Sequence, residues 1–164
     1  DYTVFVMGGR VKDKIHIIDC KRVRVMGNIE KLDLLMEMME EWGVIHRDGK
    51  NLFPTGSSLH IWSEAVAYQA SLEADFKRIC QTEQGLYNLI WHPVKGFRSD
   101  KLARFRGIMG MFEDHKIIFN RYRNFTNMFE ELTNFGVSSH DDCVDALVWL
   151  VTGLMKRGQL QLDY

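Results

Sequence analysis

The sequence predicts an α/β fold: a mixed sheet, antiparallel at its start and parallel later, with helices packed on it. Three observations lead there. Residues 2–20 hold two β-rich runs around a polar turn, and residues 29–44 repeat apolar side chains at helical spacing. After them, short strand-like runs alternate with helical stretches.

Taken in order, residues 2–11 (YTVFVMGGRV) are rich in β-branched and aromatic side chains, Lys12-Asp13-Lys14 makes a turn, and residues 15–20 (IHIIDC) form a second strand. Lys21 to Met26 supply a short third strand. From Ile29 to Val44 the residues Ile29, Leu32, Leu35, Met36, Met39 and Trp42 line one helical face, a methionine-rich stripe suited to a core. Gly49, Pro54, Gly56 and two serines mark residues 46–58 as a loop. Leu59-His60-Ile61-Trp62 is a strand running into Ser63-Glu64, with a helix from Ala67 to Cys80. Leu86 to Trp91 is a further apolar run closed by Pro93, and a basic helix covers Ser99 to Phe112. Ile117-Ile118-Phe119 is a short strand, and two helices complete the chain. Strands leading into helices in this order exclude an all-helical phosphohydrolase of the HD type, although His140-Asp141 would fit its motif.

Bulk composition sets the bounds. With 164 residues, 46% apolar and 26% charged, the chain has room for one domain with a full hydrophobic core. Its net charge is −1, so any contact with nucleic acid must use local basic patches. Cys20, Cys80 and Cys143 are far apart and lack CxxC spacing, which argues for a reducing compartment and against a zinc site. No apolar run is long enough to span a membrane, and the N-terminus is no signal peptide. The abrupt start at Asp1-Tyr2-Thr3-Val4 reads as part of something longer.

The chemistry concentrates in His140-Asp141-Asp142-Cys143-Val144-Asp145. Three carboxylates fall within five residues at the mouth of the apolar run Val144 to Leu154. With Ser138 or Ser139 as a helix cap, all three lie near one face of the first turn. A helix dipole rewards an acid there by only ~0.3–1 kcal/mol, so one or two are explained and the third is not. A hard divalent cation, Mg²⁺ or Mn²⁺, explains it, since such ions favour carboxylate oxygens. A polar cap on a buried helix is the alternative. His140 is placed to serve as a proton donor, or simply as a surface or capping group.

Glu64 is the second acid of interest. It ends an apolar strand, and sites in parallel sheets gather at strand C-terminal ends; it would equally serve as a first-turn acid of the next helix. Together with Asp141, Asp142 and Asp145 it suggests a split carboxylate site. Two ions ~3.5–4 Å apart in such a site activate water and stabilise the leaving oxygen in phosphodiester cleavage. Lys95, Arg98, Lys101, Arg104 and Arg106 form a basic stretch suited to phosphate contact, or a solvated helix face. Gly8-Gly9-Arg10 lacks the phosphate-loop pattern, so ATP hydrolysis is excluded.

Four stretches in order resemble a known family, the C-terminal nuclease domain of the large terminase subunit of tailed bacteriophages, in the RNase H-like superfamily. They are Asp1-Tyr2-Thr3-Val4, Ile61-Trp62-Ser63-Glu64 with the helix AVAYQASL, Lys95-Gly96-Phe97-Arg98 with its helix and Lys116-Ile117-Ile118-Phe119, and His140-Asp141-Asp142 with the helix after it. The resemblance implies a single RNase H-like domain over 1–164, with a mixed five-stranded sheet flanked by helices and with the ATPase motor of the full protein absent. It implies a metal-dependent endonuclease cutting concatemeric viral DNA, working in the cytoplasm of the infected bacterial host and transiently at the procapsid portal. The partners implied are double-stranded DNA, the portal and the small terminase subunit. Residue by residue, Glu64 and Asp142 become metal ligands, with Asp145 as a further ligand and Asp141 and His140 beside them. Lys95, Arg98, Lys101 and Arg104 would guide the DNA. The family's first catalytic aspartate precedes the DY pair, so its position falls before residue 1, and Asp1 matches a later, non-catalytic Asp. A junction resolvase or integrase-type nuclease of the same fold, and a non-catalytic DNA-binding or portal-docking module, are the alternatives.

Overall fold

A computed structural model describes residues 2–24, 27–56, 58–64, 67–94 and 101–160, with side chains at 67–69 and 158–160 outside the description. The chain divides into two compact units, Asp1–Arg24 with Arg98–Tyr164, and Val25–Phe97.

In the first unit, β1 (Thr3–Val11) and β2 (Lys14–Val23) form the expected antiparallel hairpin, from Thr3 opposite Val23 to Val11 opposite Lys14. Lys12, with φ 58°, takes the left-handed conformation that the two-residue turn requires. The segment Lys21–Val23 continues β2 and does not make a separate strand. The short strand that we label β7 (Ile117–Phe119) pairs parallel with β2, giving the order β1-β2-β7. Antiparallel and parallel pairing therefore meet on β2.

Ile15 and Ile17 alternate onto the buried face of β2, where α5 (Asp142–Leu160) covers the sheet. Its residues Cys143, Val144, Leu147, Val148, Leu150 and Val151 recur at helical spacing and are all buried. Two other helices, α3 (Lys101–Glu113) and α4 (Thr126–Thr133), pack on α5.

A bulge interrupts the β1–β2 register between Met7 and Gly8. A Cβ at Gly8 would lie 2.6 Å from the His16 carbonyl oxygen and 3.0 Å from Leu150 Cδ2. Gly8 thus lets the hairpin approach α5 closely. Gly8→Ala is expected to destabilise the protein by about 1–3 kcal/mol, the usual cost of overpacking. Urea denaturation measures it; an unchanged midpoint would show that the hairpin and α5 are not so tightly opposed.

The second unit opens with α1 (Asn28–Glu41), where Leu32, Leu35, Met36 and Met39 of the expected stripe are buried, with Met38 beside them; Ile29, at the first turn, is 59% exposed, and Trp42 lies just past the helix, half-buried. The segment expected to be a loop contains a small hairpin, β3 (Ile45–Asp48) and β4 (Asn51–Pro54), turning at Gly49 with φ 60°. Only Ile45 and Leu52 are buried there, too weak an apolar signal to reveal strands in sequence. β5 (Leu59–Glu64) and β6 (Leu89–Val94) pair parallel, Leu59 opposite Leu89 through Glu64 opposite Val94. Between them α2 (Ala67–Phe76) continues as a π-helix, Lys77–Glu83. Phe76, fully buried, packs on Trp91 with ring centroids 4.8 Å apart.

Mixed α/β architecture is as expected. The described strands pair in three separate sheets, of three, two and two strands, and not in one five-stranded sheet. Within the first unit β7 adds to β2, and within the second β5 pairs with β6.

Candidate functional site

α5 begins at Asp142, with Asp141 in the capping position, where its carbonyl accepts the first helical bond from Asp145 N at 2.9 Å. Neither serine caps this helix. Ser138 Oγ accepts from His140 N at 3.2 Å, one turn of chain too early.

The acid cluster is largely neutralised from within the protein. Lys101 Nζ sits 2.7 Å from Asp141 Oδ2 and 3.0 Å from Asp145 Oδ2, and Arg104 lies 3.6 Å from Asp145 Oδ1. The Arg104 guanidinium also lies over Trp149, 5.1 Å from the ring centroid. The basic helix α3 is thereby clamped to α5. Burial works against the Lys101 ammonium, but hydrogen bonds and charge from Asp141 and Asp145 outweigh it and raise its pKa above the usual lysine value. A raised folded-state pKa means that the contribution is full below the unfolded value and lost only as pH climbs through the folded one. The clamp is therefore intact at neutral pH. Two of the side chains expected to guide DNA are thus paired with acids, while Lys95 and Arg98 lie outside the described residues.

Asp142 differs from its neighbours. Half-buried on the first turn, it makes no hydrogen bond or ion pair among the described residues. The sequence pattern treats the three acids alike; the structure separates two paired carboxylates from one unpaired.

His140 meets the Tyr2 ring edge-on at 5.4 Å. The Arg22 guanidinium stacks over Tyr2 at 3.8 Å, and Arg24 lies 4.6 Å from the same ring. Arg22 reaches Glu131 Oε1 at 3.8 Å. Glu131, buried on α4, places Oε2 where it accepts from Cys143 N at 2.7 Å and Val144 N at 3.2 Å. The Cys143 thiol is hydrogen-bonded to Cys20 of β2; that bond, burial and the nearby charges raise its pKa strongly, so it is no nucleophile at neutral pH. Cys80 is likewise pushed up, to about 12, by burial.

Sequence reasoning passed over two acids, Glu131 and Asp19. Asp19 continues the buried face of Ile15 and Ile17, is 6% exposed, and accepts from Cys20 N at 2.8 Å. An acid in phase with two core isoleucines was the available signal. Glu131 carried none, because its role depends on a helix eleven residues further on.

In the other unit Glu64 ends β5, and strand alternation puts it on the face of His60 and Trp62. His92 of β6, opposite Trp62, stacks on it at 5.4 Å and shares a 2.8 Å contact between His60 Nδ1 and its own Nε2. Glu64 is half-buried and, among the described residues, unpaired.

Asp142 and Glu64 each offer carboxylate oxygens with no cation upon them among the described residues, the donor chemistry a hard divalent ion takes. Among the described residues no three His, Cys, Asp or Glu side chains gather as a metal-holding group, and no helix is long and apolar enough to cross a membrane.

No curated protein and no solved structure matches the chain. A family model does, the terminase RNase H-like domain, over residues 1–153. That match runs from the β1–β2 hairpin through Glu64 to the acid-bearing first turn of α5 and most of that helix, and on it the chain belongs to the terminase RNase H-like domain family.

Proposed function

We propose that this domain is a divalent-metal-dependent DNA endonuclease that cuts concatemeric viral DNA during genome packaging. The observation that carries the reading is the unpaired carboxylate of Asp142 among neighbours already neutralised, in a chain of the terminase RNase H-like family. Asp142 and Glu64, one in each unit, would each serve as a carboxylate ligand to a divalent ion. When bound, Mg²⁺ or Mn²⁺ supplies charge stabilisation for the phosphodiester and activates water for attack.

The chain's own residues set the stage. Lys101 and Arg104 cancel Asp141 and Asp145, so the negative field of the first turn is lowered where a DNA phosphate must approach. Lys101 is half-exposed, with three donors, and so can meet a phosphate oxygen while keeping an acid partner. Lys95 and Arg98 add backbone contacts. Recognition through phosphates gives little base preference and a steep salt dependence. His140, held against Tyr2, is the group beside the acids able to donate a proton to the leaving oxygen. The portal and the small terminase subunit are the partners that would bring DNA to the domain.

Supercoiled plasmid incubated with Mn²⁺, Mg²⁺ or EDTA tests the reading. Nicked and linear forms are expected with metal only, and not with Glu64→Ala. Cutting that survives EDTA or the Glu64 variant would overturn it, as would DNA binding by a folded protein, extended upstream of Asp1, that never cuts.

A further inference from the structure

The first N–H groups of a helix need acceptors, and the cap residue's own side chain usually supplies one. In α5 it does not: the Asp141 carboxylate is turned to Lys101. The acceptor comes from another helix, as Glu131 Oε2 takes the N–H groups of both Cys143 and Val144. Asp142 lies between these two anchors, with Asp141 fixed on one side and Cys143 and Val144 on the other.

The support closes on itself. Glu131 is 4% exposed, and among the described residues its second oxygen has only the ionic contact with Arg22. Arg22 lies over Tyr2, and Tyr2 meets His140, two residues before Asp142. The segment 140–144 is thus held at both ends by one connected set of side chains from β2, α4 and the residue preceding β1. A helix cap alone would be met by a local serine or aspartate at the surface. Burying a glutamate and an arginine for it carries a desolvation cost that a cap does not require.

We propose that Glu131 is a positioning residue: through the Cys143 and Val144 amides it fixes the backbone of the first turn, and so the direction in which Asp142 presents its carboxylate to a divalent cation. This rests on the reading of Asp142 as a metal ligand. The requirement is one of geometry, since outer groups that orient metal ligands are commonly worth about 10–100-fold in affinity.

The test is Mn²⁺ alone, its binding to the chain followed by electron paramagnetic resonance, together with hydrogen exchange of the α5 first turn without metal. Wild type, Asp142→Asn, Glu131→Ala and Glu131→Gln are compared. Glu131→Ala is expected to speed exchange at Cys143 and Val144 and to weaken Mn²⁺ binding by about 10–100-fold. Glu131→Gln keeps an acceptor oxygen and is expected to stay within about threefold of wild type, well inside that range. If Glu131→Ala does not fold, Glu131→Asp takes its place: its shorter side chain draws the carboxylate back, and the same loss is expected. Unchanged Mn²⁺ affinity in a folded variant with faster exchange overturns the proposal, leaving Glu131 as a cap only. Wild-type binding that is absent, or indifferent to Asp142→Asn, overturns the ligand reading of Asp142 itself and removes the inference with it. The Asp142→Asn arm tells the two failures apart.

Discussion

Asp142→Asn is expected to lower the rate of metal-dependent plasmid cutting by about 10²–10³-fold or more, because a metal's contribution to phosphoryl charge stabilisation is several kcal/mol. Folding should hardly notice. Asp142 has no hydrogen bond or ion pair among the described residues, so the substitution orphans no partner. What is lost is the attraction of one carboxylate to a helix N-terminus, about 0.3–1 kcal/mol. Asp141→Asn and Asp145→Asn supply the contrast. Each removes one partner of Lys101, whose side chain is 50% exposed, so Asp141→Asn costs below about 1 kcal/mol of stability, while Asp145→Asn also removes a partner of the less exposed Arg104 and costs somewhat more. Each also leaves more positive charge on α3 uncancelled. Nicking rates at saturating Mn²⁺, with thermal melts of the same samples, check this. An Asp142→Asn protein that melts far lower would make that acid structural; equal loss of cutting in all three variants would mean that the paired acids serve as ligands too.

The second large effect is on stability. Arg22→Ala is expected to cost about 3–5 kcal/mol, the usual penalty for leaving one member of a buried ion pair alone. Here the orphan is Glu131, 4% exposed, and the Arg22 side chain is itself only 14% exposed. The loss also strips the guanidinium from the Tyr2 face. Pairing Arg22→Met with Glu131→Gln should recover much of it, since the buried charge then disappears while an acceptor for the Cys143 and Val144 amides remains. Chemical denaturation of Arg22→Met, Glu131→Gln and the variant carrying both measures the coupling. Additive losses would mean that the 3.8 Å pair contributes little and that solvent reaches Glu131.

How far such effects can be foreseen from sequence varies by residue. The β1–β2 hairpin, α1, β5, β7 and α5 stand where the sequence pattern puts them, and β2, α1 and α5 each bury a regular face of their own. The β3–β4 hairpin does not announce itself, with only Ile45 and Leu52 buried. The helix after β5 ends in a π-helical stretch, a change of hydrogen-bond pattern that side-chain spacing does not record.

At the acidic turn the sequence by itself determined which groups are present: three acids on the first turn of an apolar helix, with a basic helix earlier in the chain. Local spacing suffices for that, since neighbours on one turn or one strand share a face whatever the rest of the chain does. Only the tertiary structure decided the roles within the cluster. Lys101 lies forty residues before Asp141 and Glu131 twelve before Cys143, and no periodicity relates them. Charges spaced this far along the chain meet only when α3, α4 and α5 pack, and that packing neutralises Asp141 and Asp145, braces the first turn, and leaves Asp142 unpaired among the described residues.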